Sequence, residues 1–366
     1  MRHRFHSICP YFAMFPESFV LRNVVAWSSP GDLVLDPFCG RGTTILESLL
    51  NNRRAIGCDT NPVAACISRA KSNPPKLSVL ESRLAELEFQ YPNCEVLVGY
   101  ESDDFFESCY HPGTLKQVLF LRSALNWRKD KTDCFIAAVA LGSLHGESHR
   151  TELCFSNRMP RTISTKPDYS VRWWKQHGCV APKRDVFGIL RAMIGYRFES
   201  SPSRLRGRVV EGDARDASKY FRRSRGKVRL LITSPPYIDI TNYREDQWLR
   251  LWFLGGPPRP SSSHPNSDDR YRRTDAYWKF LTEAWSGVVP LLSPRCHVVV
   301  RIGGSRLSRE DLAEGLLRSL KQASLDKVIL RETHTTEIKG GQRRSFTSSR
   351  SLRLGIEHDF RFLVTA

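Results

Sequence analysis

Two short segments of the 366-residue chain carry residues whose types and spacing suit chemistry on a bound ligand. The first is residues 36–44, D-P-F-C-G-R-G-T-T. The second is residues 233–237, T-S-P-P-Y. Each directly follows a short apolar run, which is the pattern expected for a buried parallel strand. Both segments are therefore predicted to be loops that begin where a strand ends.

The glycine-containing segment suits close contact with a ligand. Gly40 and Gly42 let the backbone bend sharply and approach a ligand where a Cβ atom would collide. The turn leads into a predicted helix, whose free N–H groups favour an anionic group. A glycine-rich turn after a strand is common to many nucleotide-binding folds, so this segment alone does not identify the ligand.

The proline-containing segment is predicted to be a stiff loop. Pro235 and Pro236 restrict the backbone and remove N–H donors that would compete for a ligand. A short run of this kind can also arise by chance in a proline-bearing loop. The specific signal is that both segments occur in one chain, each after an apolar strand.

Alternating strands and helices surround the two segments. Apolar runs predict strands at residues 33–35, 54–59, 208–213, 228–232, 297–302, 327–331 and 359–364. Residues 77–204 interrupt this alternation with helical patterns and a stretch punctuated by prolines. Alternation with one interruption implies a parallel, doubly wound α/β sheet carrying an inserted domain. We predict one domain from residues 1–76 and 205–366, and a mainly helical insertion at residues 77–204.

Together the two segments resemble the motifs of the amino-methylating (N4-cytosine or N6-adenine) DNA methyltransferases, D-P-F-x-G-x-G-T and T-S-P-P-Y. The resemblance covers about residues 1–75 and 205–366. It implies a Rossmann-like, S-adenosylmethionine-dependent methyltransferase fold with a largely parallel seven-stranded sheet. It also implies S-adenosylmethionine as the cofactor, and residues 1–76 and 205–366 as the catalytic domain.

The resemblance assigns the cofactor pocket to the strand ends. It places Asp36 near the amino-acid end of the cofactor, Asp59 at the ribose hydroxyls and Asp213 at the adenine ring. Asp59 could instead cap the following helix, and Asp213 could simply form a turn. Residues 6–16, which include Phe15, resemble the leading motif that completes the pocket around the methionine portion. The predicted cofactor-binding residues are Phe15, Asp36, Pro37, Phe38, Gly40, Gly42, Thr43, Asp59 and Asp213.

The catalytic residues implied by the resemblance are Ser234, Pro235, Pro236 and Tyr237. The amino nitrogen of cytosine or adenine is a poor nucleophile because its lone pair is delocalised into the ring. Ser234 Oγ and the Pro235 carbonyl would accept hydrogen bonds from the two amino hydrogens and localise that lone pair. Tyr237 would stack on a base flipped out of the duplex, with packing in a turn as its alternative. The ten cysteines include no Pro-Cys pair, so the covalent route to 5-methylcytosine is excluded.

The base choice follows from one position. Serine before Pro-Pro is usual for cytosine-N4 members, so Ser234 favours cytosine, and adenine N6 is the alternative. A methyltransferase acting on RNA and a catalytically inactive DNA-binding module are the further alternatives. The resemblance implies a place in a restriction–modification system, with a cognate restriction endonuclease as partner, or in an orphan modification system.

Charge supports double-stranded DNA as the partner. The formal net charge is +18, and arginine-rich clusters raise the local concentration of polyanions. Two regions are candidates for target recognition: the loop at residues 255–273 and a stretch of the insertion in which basic and aromatic residues alternate. The latter, which could equally be a helical cap, contains Arg158, Arg161, Lys166, Tyr169, Arg172, Trp173, Trp174 and Lys175.

Several classes of protein are disfavoured. The cysteines form no C-x-x-C pair, which argues against a zinc site or a disulfide framework. His145 and His149 have no evident third ligand, so no metal site is predicted. No apolar run approaches the roughly 20 residues of a membrane span, and the first residues lack a signal-peptide pattern. A cytoplasmic location is expected.

Overall fold

The computed structural model describes residues 2–11, 16–93, 103–147, 152–159, 167–238, 247–260, 273–303, 307–323, 327–343 and 353–365. Its strands are β1 Leu33–Asp36, β2 Arg54–Asp59, β3 Gly146–Glu147, β4 Arg158–Met159, β5 Arg208–Glu211, β6 Val228–Thr233, β7 Leu292–Gly303, β8 Lys327–Arg343 and β9 Arg353–Thr365. The first helices are α1 Glu17–Trp27, α2 Thr43–Leu50, α3 Pro62–Ser72, α4 Leu77–Gln90, α5 Asp104–Cys109, α6 Pro112–Ala124 and α7 Lys131–Ser143. They are followed by α8 Pro167–Gln176, α9 Val186–Phe198, α10 Ala217–Tyr220, α11 Trp248–Phe253, α12 Thr274–Val288 and α13 Arg309–Gln322.

The chain forms two compact units, each built from separate stretches of sequence. The helical unit comprises Met1–Pro10, Pro74–Pro202 and Tyr243–Ser263. The sheet unit comprises Tyr11–Asn73, Ser203–Asn242 and His264–Ala366.

The sheet unit contains seven strands in the order β5-β2-β1-β6-β7-β9-β8. The five strands from β5 to β7 run parallel, and β9 is antiparallel to both of its neighbours. The predicted largely parallel seven-stranded α/β sheet is therefore confirmed. The chain leaves β1 toward β2 on one side and leaves β6 toward β7 on the other, so strand order reverses between β1 and β6. Loops at such a reversal open a crevice at the carboxyl ends of the strands.

Apolar helices cover one face of the central strands, β1 and β6. On one face, α1 contributes Phe19, Val20 and Val24 to a buried cluster with Val34 of β1 and Ile232 of β6. On the same face, Ile45 and Leu49 of α2 pack over β2 and β5, because Ala55 of β2 is in register with Val34 of β1. Each fully buried side chain of this size contributes about 1.5–3 kcal/mol. The strand ends that precede the two predicted loops are therefore held rigidly.

The helical unit takes in more of the chain than the predicted insertion. Residues 1–10 join it because the backbone N–H of Arg4 donates to Ser200 Oγ at 3.1 Å and Arg197 donates to the carbonyl of Ser7 at 2.7 Å. Helix α11 joins it because Trp252 packs on Phe106 with ring centroids 4.6 Å apart. The assignment of residues 1–76 and 205–366 to one catalytic domain thus differs from the compact units, since residues 1–10 and 243–263 pack with residues 74–202.

The basic and aromatic stretch of the insertion is only partly exposed. Trp174 is fully buried and donates through Nε1 to the carbonyl of Arg158 at 3.0 Å. Trp173 stacks on His177 with centroids 4.2 Å apart, whereas Tyr169 is 47% exposed. Trp174 is therefore a core residue here, while Arg161 and Lys166 lie outside the described residues. None of the described helices is long and apolar enough to cross a lipid bilayer.

Candidate active site

The glycine-containing loop and the T-S-P-P-Y loop begin side by side in the sheet unit. Strand β1 ends at Asp36, its parallel neighbour β6 ends at Thr233, and both side chains are buried. Thr233 Oγ1 donates a hydrogen bond to Asp36 Oδ1 at 2.7 Å. The two segments found in the sequence are therefore joined directly by their first residues.

The glycine loop is clamped onto α3. Gly40 and Gly42 both have positive φ, 47° and 76°, and Gly42 is the N-cap residue of α2. Ser68 Oγ donates to the Gly40 carbonyl at 2.7 Å. A Cβ atom on Gly42 would lie 2.7 Å from Ser68 Oγ and 3.0 Å from its Cα. Glycine is therefore favoured at position 42 for two reasons: the backbone is left-handed there, and it lies too close to α3 to leave room for a Cβ atom.

Asp59 ties the end of β2 to the glycine loop. Its Oδ2 accepts the Gly40 N–H and its Oδ1 accepts the Asn61 N–H, each at 2.9 Å. Asn61, whose side chain accepts the Val63 N–H, is the residue that caps α3. The alternative reading of Asp59 as that helix cap was therefore wrong. Asp59 is partly exposed at this position, and contact with a ribose stays a prediction.

Asp213 forms a turn, which is the alternative role that the sequence analysis gave it. Its carboxylate accepts the backbone N–H of Arg215 at 2.9 Å and forms an ion pair with the same residue's guanidinium at 2.9 Å. It thereby caps the short turn Ala214–Asp216 after β5. Asp213 is partly exposed, and a contact with an adenine ring stays a prediction.

A buried carboxyl oxygen at the glycine loop has unused bonding capacity. Asp36 Oδ1 accepts from Thr233 and from the Phe38 N–H at 3.1 Å, whereas Asp36 Oδ2 has no hydrogen-bond partner among the described residues. Burial raises the pKa of Asp36 to about 7 and that of Asp59 to about 6. Because buried polar atoms are nearly always paired, an unpaired oxygen beside a glycine loop fits a ligand that donates hydrogen bonds or carries positive charge.

The remaining predicted cofactor residues line the same loop, apart from Phe15. Pro37 and Thr43 are buried, and Thr43 is the first residue of α2. Phe38 is partly exposed, with its ring centroid 5.9 Å from that of Phe280 on α12. Phe15 lies outside the described residues.

The T-S-P-P-Y loop presents a partly exposed serine in front of a buried tyrosine. Pro235 and Tyr237 are buried, whereas Ser234 and Pro236 are partly exposed. Ser234 Oγ donates to the Tyr237 hydroxyl oxygen at 3.2 Å. The serine lone pairs therefore remain able to accept a hydrogen bond from a ligand. Tyr237 is only 6% exposed, so the structure has the packed arrangement. Its stacking on a base stays a prediction.

Behind Tyr237 lies a set of charged residues that the sequence analysis missed. The Tyr237 hydroxyl donates to Glu357 Oε1 at 2.9 Å, and Glu357 forms an ion pair with Arg301 at 3.4 Å. Arg301 also pairs through two bonds with Asp359, at 2.6 and 2.8 Å. Residues 357 and 359 are two apart on β9 and so face the same side of the sheet. That spacing of two acids within β9 was the available signal.

The chain's match to known proteins falls on the glycine loop. Residues 3–69 match the protein-family model whose description is DNA methylase. This segment is therefore similar to members of the DNA methylase family. It includes α1, β1, α2 and β2, with Asp36, Gly40, Gly42 and Asp59, and it ends before the T-S-P-P-Y loop.

Individual relatives match over similarly short lengths. Orphan methyltransferase M.BamHII of Bacillus amyloliquefaciens is 47% identical over 47 residues, which are 13% of this chain and 18% of that protein. Type II methyltransferase M.MvaI of Kocuria varians is 31% identical over 81 residues, 22% of this chain and 15% of that protein. DNA adenine methyltransferase YhdJ of Escherichia coli (strain K12) is 44% identical over 46 residues, 13% and 16% respectively. The chain thus matches less than a fifth of the length of each relative.

Among solved structures, the rRNA methyltransferase aviRa from Streptomyces viridochromogenes matches with 12% identity over 98% of this chain and 87% of that chain, at a TM-score of 0.34. So low a score carries no argument about this chain.

The thiols beside the glycine loop are poor nucleophiles. Cys39 and Cys58 are buried, and burial raises the pKa of each well above its usual range. Neutral thiols do not attack a base, since the thiolate is the reactive form. Among the described residues, no group of three His, Cys, Asp or Glu side chains is arranged to hold a metal ion.

Proposed function

We propose that this protein transfers a methyl group from S-adenosylmethionine to the N4 amino group of cytosine in duplex DNA. The observation that carries the proposal is the hydrogen bond between Thr233 and Asp36, which brings the start of the T-S-P-P-Y loop to the start of the glycine loop. A donor held by one loop and an amino group held by the other would meet at the reversal of strand order.

The glycine loop has the features that this cofactor requires. The N-terminal end of α2 offers free N–H groups to the methionine carboxylate, and no side chain caps that end. Asp36 Oδ2 and the partly exposed Asp59 offer negative charge to the ammonium and hydrogen bonds to the ribose. When bound, the cofactor supplies a methyl group made electrophilic by a sulfonium. Proposed contacts of Phe15, Pro37, Phe38, Thr43 and Asp213 complete the pocket.

The chemistry proposed for the T-S-P-P-Y loop is positioning. Ser234 Oγ and the Pro235 carbonyl accept the two amino hydrogens, which localises the lone pair on nitrogen and aims it at the methyl group. Pro235 and Pro236 keep this corner from rearranging as the nitrogen becomes tetrahedral. In-line alignment of this kind can contribute roughly 7–11 kcal/mol of the barrier. The target base must leave the duplex to reach the loop, and Tyr237 is its proposed aromatic contact.

Duplex DNA as partner is supported by the charge of the sheet unit. Eight basic side chains that precede β5 and β6 or lie in their first two residues are exposed: Arg204, Arg206, Arg208, Arg222, Arg223, Arg225, Lys227 and Arg229. They lie toward the amino ends of parallel strands, at the edge opposite to the two loops. Their proposed role is therefore long-range attraction of the phosphate backbone, while recognition of the target is assigned to the helical unit and to residues 255–273.

The choice of cytosine rests on Ser234 alone, because only one of the relatives described above has a name that states a base, and that base is adenine. M.BamHII is named as an orphan methyltransferase, and YhdJ as an adenine methyltransferase. Adenine N6 is therefore the second candidate. The biological setting proposed is a restriction–modification system with a partner endonuclease, or an orphan modification system.

Product analysis tests the proposal. The purified full chain is incubated with deuterated-methyl S-adenosylmethionine and unmethylated plasmid, and the DNA is digested to nucleosides for mass spectrometry. Deuterated N4-methyldeoxycytidine is expected from the wild-type protein, and far less of it from Ser234→Ala in the same time. N6-methyladenine alone would replace cytosine by adenine, and label in RNA but not in DNA would overturn DNA as substrate. Absence of any transfer by protein that binds the cofactor would identify an inactive binding module.

The affinity for S-adenosylmethionine is expected to rise with pH. Because burial raises the pKa of Asp36 to about 7 and of Asp59 to about 6, both carboxyls gain charge within about pH 5–8. A cationic ligand favours the ionised forms, so binding releases protons. One displaced proton changes the affinity by up to about tenfold per pH unit. Calorimetric titrations between about pH 5.5 and 8.5 measure both the affinity and the proton release.

The variant Asp36→Asn is expected to flatten this dependence. Glu47→Gln is the matched control, because burial also raises the pKa of Glu47 to about 7 but its side chain lies on α2, outside the loop. In the absence of ligand, the free energy of unfolding should change in the opposite direction to the affinity and fall as pH rises. The folded state holds a proton on Asp36 that the unfolded chain has released, so its contribution to the free energy of unfolding falls as pH rises from about 4 to 7. A pH-independent affinity in the wild-type protein would contradict the assignment.

A further inference from the structure

The hydrogen bonds that lead away from Ser234 all point in one direction. Ser234 donates to Tyr237 at 3.2 Å, and Tyr237 donates to Glu357 at 2.9 Å. Each hydroxyl therefore gives its own proton to the next oxygen and keeps lone pairs facing back toward the loop. A chain of donors with this polarity, ending on a carboxylate, is arranged to move a proton from the loop to Glu357.

Glu357 is the weakly compensated carboxylate of its cluster. Arg301, which is buried, pairs with Asp359 through bonds of 2.6 and 2.8 Å but approaches Glu357 only to 3.4 Å. The Arg301 guanidinium also lies 3.9 Å above the ring of Phe19. Burial, the largest effect, raises the pKa of Glu357, and Arg301 and the Tyr237 hydrogen bond offset part of it. Glu357 is thus a carboxylate that accepts a proton more readily than an exposed glutamate does.

The groups that face Glu357 come from every neighbouring element. They are Tyr237 from the loop after β6, Arg301 from β7 and Asp359 from its own strand. On β8, the residue in register with Glu357 is Thr336, which does not titrate, and the exposed His334 is in register with Asp359.

Methylation of an amino group creates a proton that must leave. When the nitrogen forms its bond to the methyl carbon, the product nitrogen carries the methyl group, two hydrogens and a positive charge. Its lone pair is restored only when one N–H bond breaks. The loop itself offers Ser234 and a proline carbonyl as contacts, neither of which is a base strong enough to keep that proton.

We propose that Ser234, Tyr237 and Glu357 form a relay that takes the proton released by methyl transfer to the Glu357 carboxylate. This inference rests on the proposed function and applies equally to cytosine N4 and adenine N6. Glu357 acts through Tyr237 and Ser234, without touching the base.

The relay balances in atoms and charge. The amino N–H bond breaks, its electron pair returns to nitrogen, and the proton bonds to Ser234 Oγ. The original serine proton moves to the Tyr237 oxygen, and the tyrosine proton moves to Glu357 Oε1. The products are a neutral methylated amine, an unchanged serine and tyrosine, and a neutral carboxylic acid, and nothing is oxidised or reduced.

Concerted movement avoids a costly intermediate. Burial raises the pKa of Tyr237 well above its usual range, so a free tyrosinate would be expensive. In the concerted relay the tyrosine gains one proton as it loses another. Arg301 keeps its two bonds to Asp359 while Glu357 is neutral. Loss of the Glu357 proton to water restores the starting state.

Single-turnover kinetics of two variants test the relay. Glu357→Gln keeps an acceptor oxygen but is not a base, and Tyr237→Phe keeps the ring but removes the linking hydroxyl. Each is expected to lower the methyl-transfer rate by about 10²–10⁴-fold, with cofactor and DNA affinities unchanged. The double variant should lose little more than either single variant, since groups acting as one unit are not additive. Glu337→Gln, an exposed acid on the neighbouring β8, is the control.

The pH profile separates a relay from a structural role. The wild-type rate should fall at acid pH as Glu357 becomes protonated, and this acid limb should be absent in Glu357→Gln. A wild-type rate with the acid limb retained in Glu357→Gln, or a wild-type rate in Tyr237→Phe, would overturn the relay while leaving the proposed function intact. Absence of transfer by the wild-type protein would overturn both. Thermal unfolding of each variant, with and without cofactor, identifies any that fails to fold.

Discussion

Replacing Ser234 by alanine is expected to lower methyl transfer by about 10²–10³-fold while S-adenosylmethionine still binds. The serine oxygen acts on the amino group as it becomes tetrahedral, so its loss affects the transition state more than the bound ground state. The cofactor contacts belong to the other loop, which the Thr233–Asp36 hydrogen bond still anchors. Single-turnover transfer and calorimetric cofactor affinity, measured on the same preparation, give the two quantities.

The control for this substitution is Ser286→Ala. Ser286 is exposed on α12, where its hydroxyl donates only to the Thr282 carbonyl of the preceding turn. It should retain wild-type transfer and affinity. Full activity in Ser234→Ala would refute the assigned role of the serine. A parallel loss of cofactor affinity would mean that the serine supports the pocket and not the transfer.

Replacing Gly42 by alanine is expected to disrupt the glycine loop more than the addition of a single methyl group at any other position in the loop. The left-handed backbone costs a non-glycine residue about 1–2 kcal/mol, and crowding in a packed site adds about 1–3 kcal/mol. Here the new Cβ would meet backbone as well as side-chain atoms of Ser68 at 2.7–3.0 Å. Relief requires moving the loop off α3, which displaces Gly40 and the N-terminal end of α2.

Gly226→Ala separates the two effects. Gly226 has φ of +67°, close to the +76° of Gly42, but no atom lies within 4 Å of the Cβ it would gain. The Gly226→Ala variant should lose only the unfolding free energy that the left-handed backbone costs, and it should bind the cofactor normally. Gly42→Ala should lose about 2–4 kcal/mol of unfolding free energy and at least about tenfold in cofactor affinity. Equal behaviour of the two variants in denaturation and binding would show that contact with Ser68 is unimportant.

Local sequence features predicted the sheet and the starting points of both loops. Asp36 and Thr233 follow apolar runs, so the ends of β1 and β6 could be placed from the sequence alone. The hydrogen bond between them could not, because it depends on β1 and β6 being neighbours in the sheet. The sequence separates them by 197 residues. Thr233 was within the recognised motif but had been given no role.

Other parts of the site depended on competition between local and distant partners. Arg215, two residues from Asp213, donates hydrogen bonds to the Asp213 carboxylate. The turn-forming alternative therefore describes the local geometry. Tyr237 and Glu357 are 120 residues apart, and their contact is fixed by the antiparallel register of β7 with β9. The apolar pattern of the sequence does not predict strand register over such distances. Residues 1–10 pack with the helical unit for the same reason, since their partners near residue 200 are far away in sequence.

The position of β9 between β7 and β8 has a consequence for synthesis on the ribosome. The sheet cannot be completed until residues 353–365 have been made, because two other strands are joined only through them. A nascent or prematurely terminated chain would expose unpaired strand edges and leave Arg301 without its acidic partners. Such a product is expected to aggregate or be degraded. Biosynthetic quality control would then act on the same strand that completes the site.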